Sequence, residues 1–416
     1  MSLFELTGLI LFIVALFGYI NGRFLRMPDT LGNTAIGLLA SLAMLVLSLK
    51  NETAHATAMR LLNAVNFSEL MFHGMLGLLL FAGSLHVSVS KLRSQRIAIF
   101  LLASVAVLVS TLVVGYSFHF AMEFLKLPIP LVYCFMFGAL ISPTDPIAVM
   151  GVLKKAGVPE SLAAKITGES LFNDGTAVVL FLLLLGISQG GAAPTLSTVG
   201  TLFVKEVVGG LVLGVVLGYG AILMLKGMDS YPVEIITTLA VATGGYALAE
   251  RLRVSAPLAV VVAGLIVGNT GAKVAMSDTT RTHLFAFWEL LDEILNLVLF
   301  ALIGLELLVM SFQEDSMLAG AIAIPLVLLA RWVSVLVPLM AGPVRRRLTR
   351  HAVTVLTWGG LRGGLSIALA LSLPKFAGQA IVVMATYCVV VFSLLVQGAT
   401  LGPLIGKLGL KDGSQG

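Results

Sequence analysis

Charge is sparse in this chain. Only 11% of its 416 residues are Asp, Glu, Lys or Arg, against about 25% in a soluble domain. So few charges cannot cover a water-facing surface, which excludes a soluble globular protein. Cysteine is scarcer still. Cys134 and Cys388 are the two present, both inside apolar runs, which argues against a disulfide framework or a cysteine metal site. The net charge of +5 comes from basic residues scattered through short connecting segments, so there is no concentrated basic face for nucleic acid. The first apolar run, Leu6 to Ile20, has neither a basic flank before it nor a small-residue cleavage site after it. It reads as a retained helix rather than a secretory leader.

What remains is apolar: 58% of the residues, with a mean hydropathy of +1.03. Runs of about 20 apolar residues each suffice to cross a bilayer, and counting them gives an all-α membrane protein of about 13 transmembrane helices. An odd count puts the termini on opposite sides. Basic residues gather in alternate connecting segments, among them Arg93, Arg96, Lys154, Lys155, Lys165, Arg345, Arg346 and Arg347. By the positive-inside rule the amino terminus is expected outside and the carboxyl terminus in the cytoplasm.

Two spans read as broken. In span 5 (129–152), Ser142-Pro-Thr-Asp-Pro146 sets a proline on each side of Thr144 and Asp145. Each proline removes a backbone donor and frees carbonyls in mid-membrane. In span 12 (352–372), Gly359-Gly-Leu-Arg-Gly-Gly364 surrounds Arg362 with glycine. An acid in one break and a base in the other fit the crossing helices of an inverted-repeat transporter. There Asp145 compensates positive half-helix amino ends and Arg362 compensates negative carboxyl ends.

Span 6 (162–187) follows the first break and carries Glu169 and Asp174. An ionisable group in hydrocarbon costs about 3 kcal/mol or more, so both acids need a reason to be there. Ser170 and Asp174, four apart, share one helix face, and Glu169 and Asn173 a neighbouring one. Glu169 and Asp174 are turned about 140° from each other and cannot both point at one small ion. Arg331 lies midway along span 11 (317–340), where a buried partner such as Glu169 would remove most of its penalty. That leaves Asp174, beside neutral Asn173, as the exchangeable carboxylate. Burial disfavours the bare anion, so either a proton or a hard monovalent cation must neutralise it. Such competition is the minimum machinery of an antiporter. In span 10 (284–310), Asn296 and Glu306 could face an ion path, while Glu289, Asp292 and Glu293 read as a solvated end.

The runs Ser142-Pro-Thr-Asp-Pro146, Gly168-Glu-Ser-Leu-Phe-Asn-Asp-Gly175, Arg331-Trp-Val-Ser-Val335 and Gly359-Gly-Leu-Arg-Gly363 together resemble the sodium/proton exchangers of the NhaP/NHE type, among the monovalent cation:proton antiporters. The resemblance runs the length of the chain in span order. It implies a core domain of helices 4–6 (residues 91–190) and 11–13 (313–416, with a short cytoplasmic tail). It implies an interface domain of helices 1–3 (1–90) and 8–10 (229–312), joined by the long helix 7 (191–228). It further implies a homodimer in a bacterial or archaeal cell membrane, working by elevator-like alternating access and contacting only lipid, monovalent cations and protons. No cofactor is expected beyond the transported sodium (or lithium) ion and proton. By the same resemblance Asp174 binds cation and proton, with Ser170 and the Thr144 main-chain carbonyl as companion sodium ligands and Asp145 alongside. Glu169 and Arg331 form a structural ion pair. Asn173 stands where the electrogenic branch has aspartate, which implies electroneutral one-for-one exchange. Relatives that carry an acid in span 3, near Phe81-Ala82-Gly83, have no counterpart here. Potassium/proton exchange, a symporter or channel on the same scaffold, and an intramembrane aspartyl protease using Asp145 and Asp174 are the competing readings; the leading one is a transporter and not an enzyme.

Overall fold

Only a helix or a closed barrel satisfies every backbone N–H and C=O inside lipid, and long apolar runs with little charge take the helical solution. The computed structural model describes residues 2–48, 66–146, 149–150, 153, 158–190, 196–227, 229–310, 312–340 and 351–409. Among these residues helix is the only regular structure. In chain order the principal helices are α1 (Leu3–Ile20), α2 (Asp29–Ser48), α3 (Leu76–Leu85), α4 (Ala106–Phe124), α5 (Leu131–Ile141), α6 (Glu160–Ser188), α7 (Leu196–Leu225), α8 (Tyr231–Leu252), α9 (Ala256–Ile266), α10 (Asp278–Leu305), α11 (Glu314–Leu339), α12 (Ala352–Trp358), α13 (Gly364–Leu371), α14 (Gln379–Phe392) and α15 (Gly398–Lys407). Ten helical stretches among the described residues are long and apolar enough to cross a membrane. The chain is an integral membrane protein.

Spans 5, 10 and 12 of the expected thirteen are not among those ten, and each has a physical cause. α5 stops at Ile141, ahead of the two prolines, and residues 143–145 are outside any helix. Span 12 is two short helices, α12 and α13, with residues 360–363 non-helical between them. α10 is long enough at 28 residues but carries Glu289, Asp292 and Glu293. Of the basic residues used for orientation, Lys154, Lys155, Arg345, Arg346 and Arg347 lie outside the described residues. Lys165, counted with the connecting segments although the expected span 6 already includes it, is buried within α6 at 1% exposure.

Helices α4, α5, α6, α11, α13 and α14 pack on one another, with α4 and α14 each lying along α11 and α5 seated between α4 and α6. α10 runs along α2 and also touches α3 and α13. α9 is enclosed by α3, α7 and α8. Without a hydrophobic force between helices in lipid, close approach comes from small residues. A side chain on Gly37 of α2 would meet the Ala301 carbonyl at 2.9 Å. In the same seam the hydroxyl of Thr34 donates to the Phe300 carbonyl at 3.3 Å, and that of Ser41 to the Gly304 carbonyl at 2.9 Å. The glycine stripe of α7 packs likewise, with Gly210 and Gly214 set against the carbonyls of Ser255 and Ala259.

Candidate cation and proton site

The two non-helical crossings meet. The Asp145 N–H donates to the Leu361 carbonyl at 2.7 Å, which joins the break in span 5 to the break in span 12. The helix end at Ile141 leaves carbonyls without intrahelical partners, and the buried Arg362 takes two of them: its Nη1 donates to the carbonyls of Ser142 and Pro143. The Arg362 N–H donates in turn to Ser393 Oγ at 2.9 Å. On the other side Asp145 lies beside Gly363, the residue that caps the amino end of α13. A Cβ there would sit 2.9 Å from the Asp145 Cβ, so the absence of a side chain lets the acid approach a helix end that favours negative charge.

Helix α6 carries the remaining groups. Pro159 and Glu160 start it, and its 29 residues take Glu169, Ser170, Asn173 and Asp174 past the crossing. Thr144 Oγ1 is the hub between helix and crossing. The Asn173 Nδ2 donates to it at 2.8 Å, and Ser170 Oγ lies 2.9 Å away. Because Oγ1 already accepts from the amide, its own proton is free to go to Ser170. An ionised carboxylate at 173 would have no hydrogen to give, and the Thr144 hydroxyl would have to turn and donate to it instead.

Glu169 and Asp174 face different surroundings. Glu169 is 1% exposed and accepts from Nη1 of Arg331, itself buried. Arg331 also donates Nε and Nη2 to the Leu356 carbonyl, at 3.3 and 3.0 Å. Asp174 is only partly buried and lines a cavity of about 80 Å³ together with Thr144, Asp145 and Ser170. That volume exceeds the space one water needs. Met71, Leu76, Leu79, Leu80 and Gly83 make the wall from span 3 apolar. Of the residues singled out in the sequence, the cavity gathers Thr144, Asp145, Ser170, Asp174 and Asn296. Asn173, Glu169, Arg331 and Arg362 stand outside its lining. Ser366 of α13 also lines it. Ser366 was not singled out; its one signal is a hydroxyl in the first turn after the glycine-rich break.

The family model "Sodium/hydrogen exchanger, transmembrane" matches residues 11–407. The chain belongs to that family. Among curated relatives of this sodium/hydrogen exchanger, the Na(+)/H(+) antiporter NhaP of Pseudomonas aeruginosa is 47% identical over 409 residues, covering 97% of this chain and 96% of the relative. The Na(+)/H(+) antiporter NhaH of Halobacillus dabanensis is 37% identical over 394 residues, covering 93% and 94%. The solved structure of the sodium proton antiporter MjNhaP1 from Methanocaldococcus jannaschii at pH 8 shares the fold, with a TM-score of 0.75 at 18% identity over 98% of this chain and 99% of that one. Membership of the sodium/hydrogen exchanger family makes the chain a transporter and sets aside the aspartyl-protease reading.

Proposed function

We propose that this protein exchanges sodium (or lithium) for protons, one for one, with cation and proton competing for Asp174. The observation that carries the reading is the division of labour on α6: Glu169 is committed to Arg331, while Asp174 opens onto a cavity whose polar lining includes Thr144, Asp145 and Ser170. A hard monovalent cation takes oxygen ligands, and the Asp174 carboxylate, Ser170 Oγ and the Thr144 main-chain carbonyl supply them. Asn173, as a neutral amide tied to Thr144, adds no second titrating group. With Asp145 held against the amino end of α13, Asp174 is left as the exchanging acid and one charge is exchanged for one. The relatives named as Na(+)/H(+) antiporters support sodium as the ion.

In this reading spans 4–6 (residues 91–190) and 11–13 (313–416) form the moving core. Spans 1–3 (1–90) and 8–10 (229–312) form the dimer-facing domain, span 7 (191–228) links the two, and the core carries the site past its partner in elevator fashion. The amino terminus lies outside and the carboxyl terminus in the cytoplasm of a bacterial or archaeal cell.

The test is reconstitution into proteoliposomes with a pH-sensitive dye and additions of sodium, lithium and potassium in turn. Sodium and lithium are expected to dissipate an imposed pH gradient, at a rate unchanged when the membrane potential is collapsed. Dissipation by potassium alone, or a rate that tracks the potential, would reject the sodium or the electroneutral part respectively.

A further inference from the structure

The cavity wall supplied by α10 and α13 is not plain hydrocarbon. Asn296, in the middle of α10 and 5% exposed, turns its Nδ2 back along the helix to the Asp292 carbonyl at 2.7 Å. That donation fixes which end of the amide is the oxygen. Oδ1 is fully buried and has no hydrogen-bond partner among the described residues. Ser366, 1% exposed, is in the same condition: it lines the cavity and its Oγ bonds to nothing among the described residues. Many helical hydroxyls among the described residues return to a carbonyl three or four residues back, as Thr386 does to Val382. Ser366 has no such carbonyl in place, because Arg362 and Gly363 belong to the non-helical crossing.

A buried oxygen without a partner is unfavourable, and two lining one cavity call for a common guest that can be shared between acceptors. We propose that Asn296 Oδ1 and Ser366 Oγ form a second half-site for the transported monovalent cation, replacing waters of its hydration shell that Asp174, Ser170 and Thr144 do not reach. Both oxygens are neutral, so they add coordination without adding a group that takes up a proton, and the one-for-one exchange is unaffected. The number of coordinating dipoles is a lever on ion selectivity. The larger sodium ion, which accommodates more oxygens than lithium, gains more from this half-site. Because Asn296 comes from α10 and Ser366 from α13, the half-site is complete only while those two helices touch, that is, in one of the access states.

The inference rests on Asp174 being the exchanging carboxylate, and the experiment separates the two claims. Asn296→Ala, Ser366→Ala and Asp174→Asn are reconstituted side by side, and sodium and lithium concentration series are run at one fixed pH. The expected result for Asn296→Ala and Ser366→Ala is a rise in the apparent KM for sodium of about three- to tenfold, a smaller rise for lithium and a nearly unchanged kcat. A merely structural role would lower kcat or folded yield for both ions and leave the sodium-to-lithium KM ratio where it was; that result overturns the half-site. So does wild-type KM for both ions in both variants when Asp174→Asn is inactive. Continued exchange by Asp174→Asn would instead defeat the assignment of Asp174. Ser366→Ala removes a hydroxyl with no bond to lose, so it decides the matter should Asn296→Ala fail to fold.

Discussion

Glu169 and Asp174 stand five residues apart on the same helix. One is sealed against a buried guanidinium and the other opens onto a cavity. Both carry a carboxylate at membrane depth, so the residue type alone does not decide what the group does. The helix turn decides it, by aiming one acid at α11 and the other at the crossing of the broken spans. A charge with a fixed partner holds two helices in register and has no reason to release. One whose neighbours are hydroxyls and a cavity can exchange what neutralises it.

The sharpest way to break this comparison is to neutralise each acid in turn. Asp174→Asn is expected to abolish exchange while leaving folded yield in detergent unchanged, as read by dye quenching and size-exclusion chromatography. Residual sodium-driven proton movement at the wild-type rate would show that the two acids had been assigned the wrong way round. Glu169→Ala should do the opposite damage. Stranding Arg331 without its partner costs about 3–5 kcal/mol, so the yield and melting temperature fall before any change in cation affinity is measurable. The paired change Glu169→Leu with Arg331→Leu should recover much of that loss, because no buried charge is then left alone. A paired variant no more stable than Glu169→Ala would remove the ion pair from the explanation.

Acidity offers a milder test. If proton and sodium share one carboxylate, then below its titration each unit fall in pH raises the apparent sodium KM by about tenfold, the mass-action limit for two ligands on one group. Saturating sodium should restore the rate, and an inhibition by acid that saturating sodium cannot reverse would point to a second titrating group. The smallest expected effect is at the hub. Asn173→Asp removes the donor to Thr144 Oγ1, a hydrogen bond worth about 1 kcal/mol, and introduces a further acid next to Asp174, on the same helix. Exchange should persist with a few-fold higher KM and acquire a dependence on membrane potential, read by repeating the assay with the potential clamped.

Much of this arrangement was legible because local chemistry forced it. Pro143 and the glycines around Arg362 cannot continue a helix, and the structure leaves residues 143–145 and 360–363 non-helical. A guanidinium midway along an apolar helix demands an acid, and Arg331 and Glu169 meet across 162 residues of chain. The bond from Asn173 to Thr144 was out of reach, since helical spacing says which residues share a face and nothing about what a separate segment brings to it. Ser366 was hidden for a related reason. A serine in an apolar helix usually satisfies itself, and only the register of the break shows that this one has no carbonyl to return to. Lys165 misled because a charge near the end of an apolar run is normally solvated, whereas this one is buried inside α6.

The seam between α2 and α10 has a reach beyond packing. Thr34 and Ser41 grip carbonyls at Phe300 and Gly304, one helical turn apart, on a face where Gly37 lets the two backbones nearly touch. Two such grips on one face set the rotational phase of α10, much as a key fixes a shaft. Asn296 lies one turn before Phe300, so its bearing on the cavity is indexed by a helix that lines no part of it.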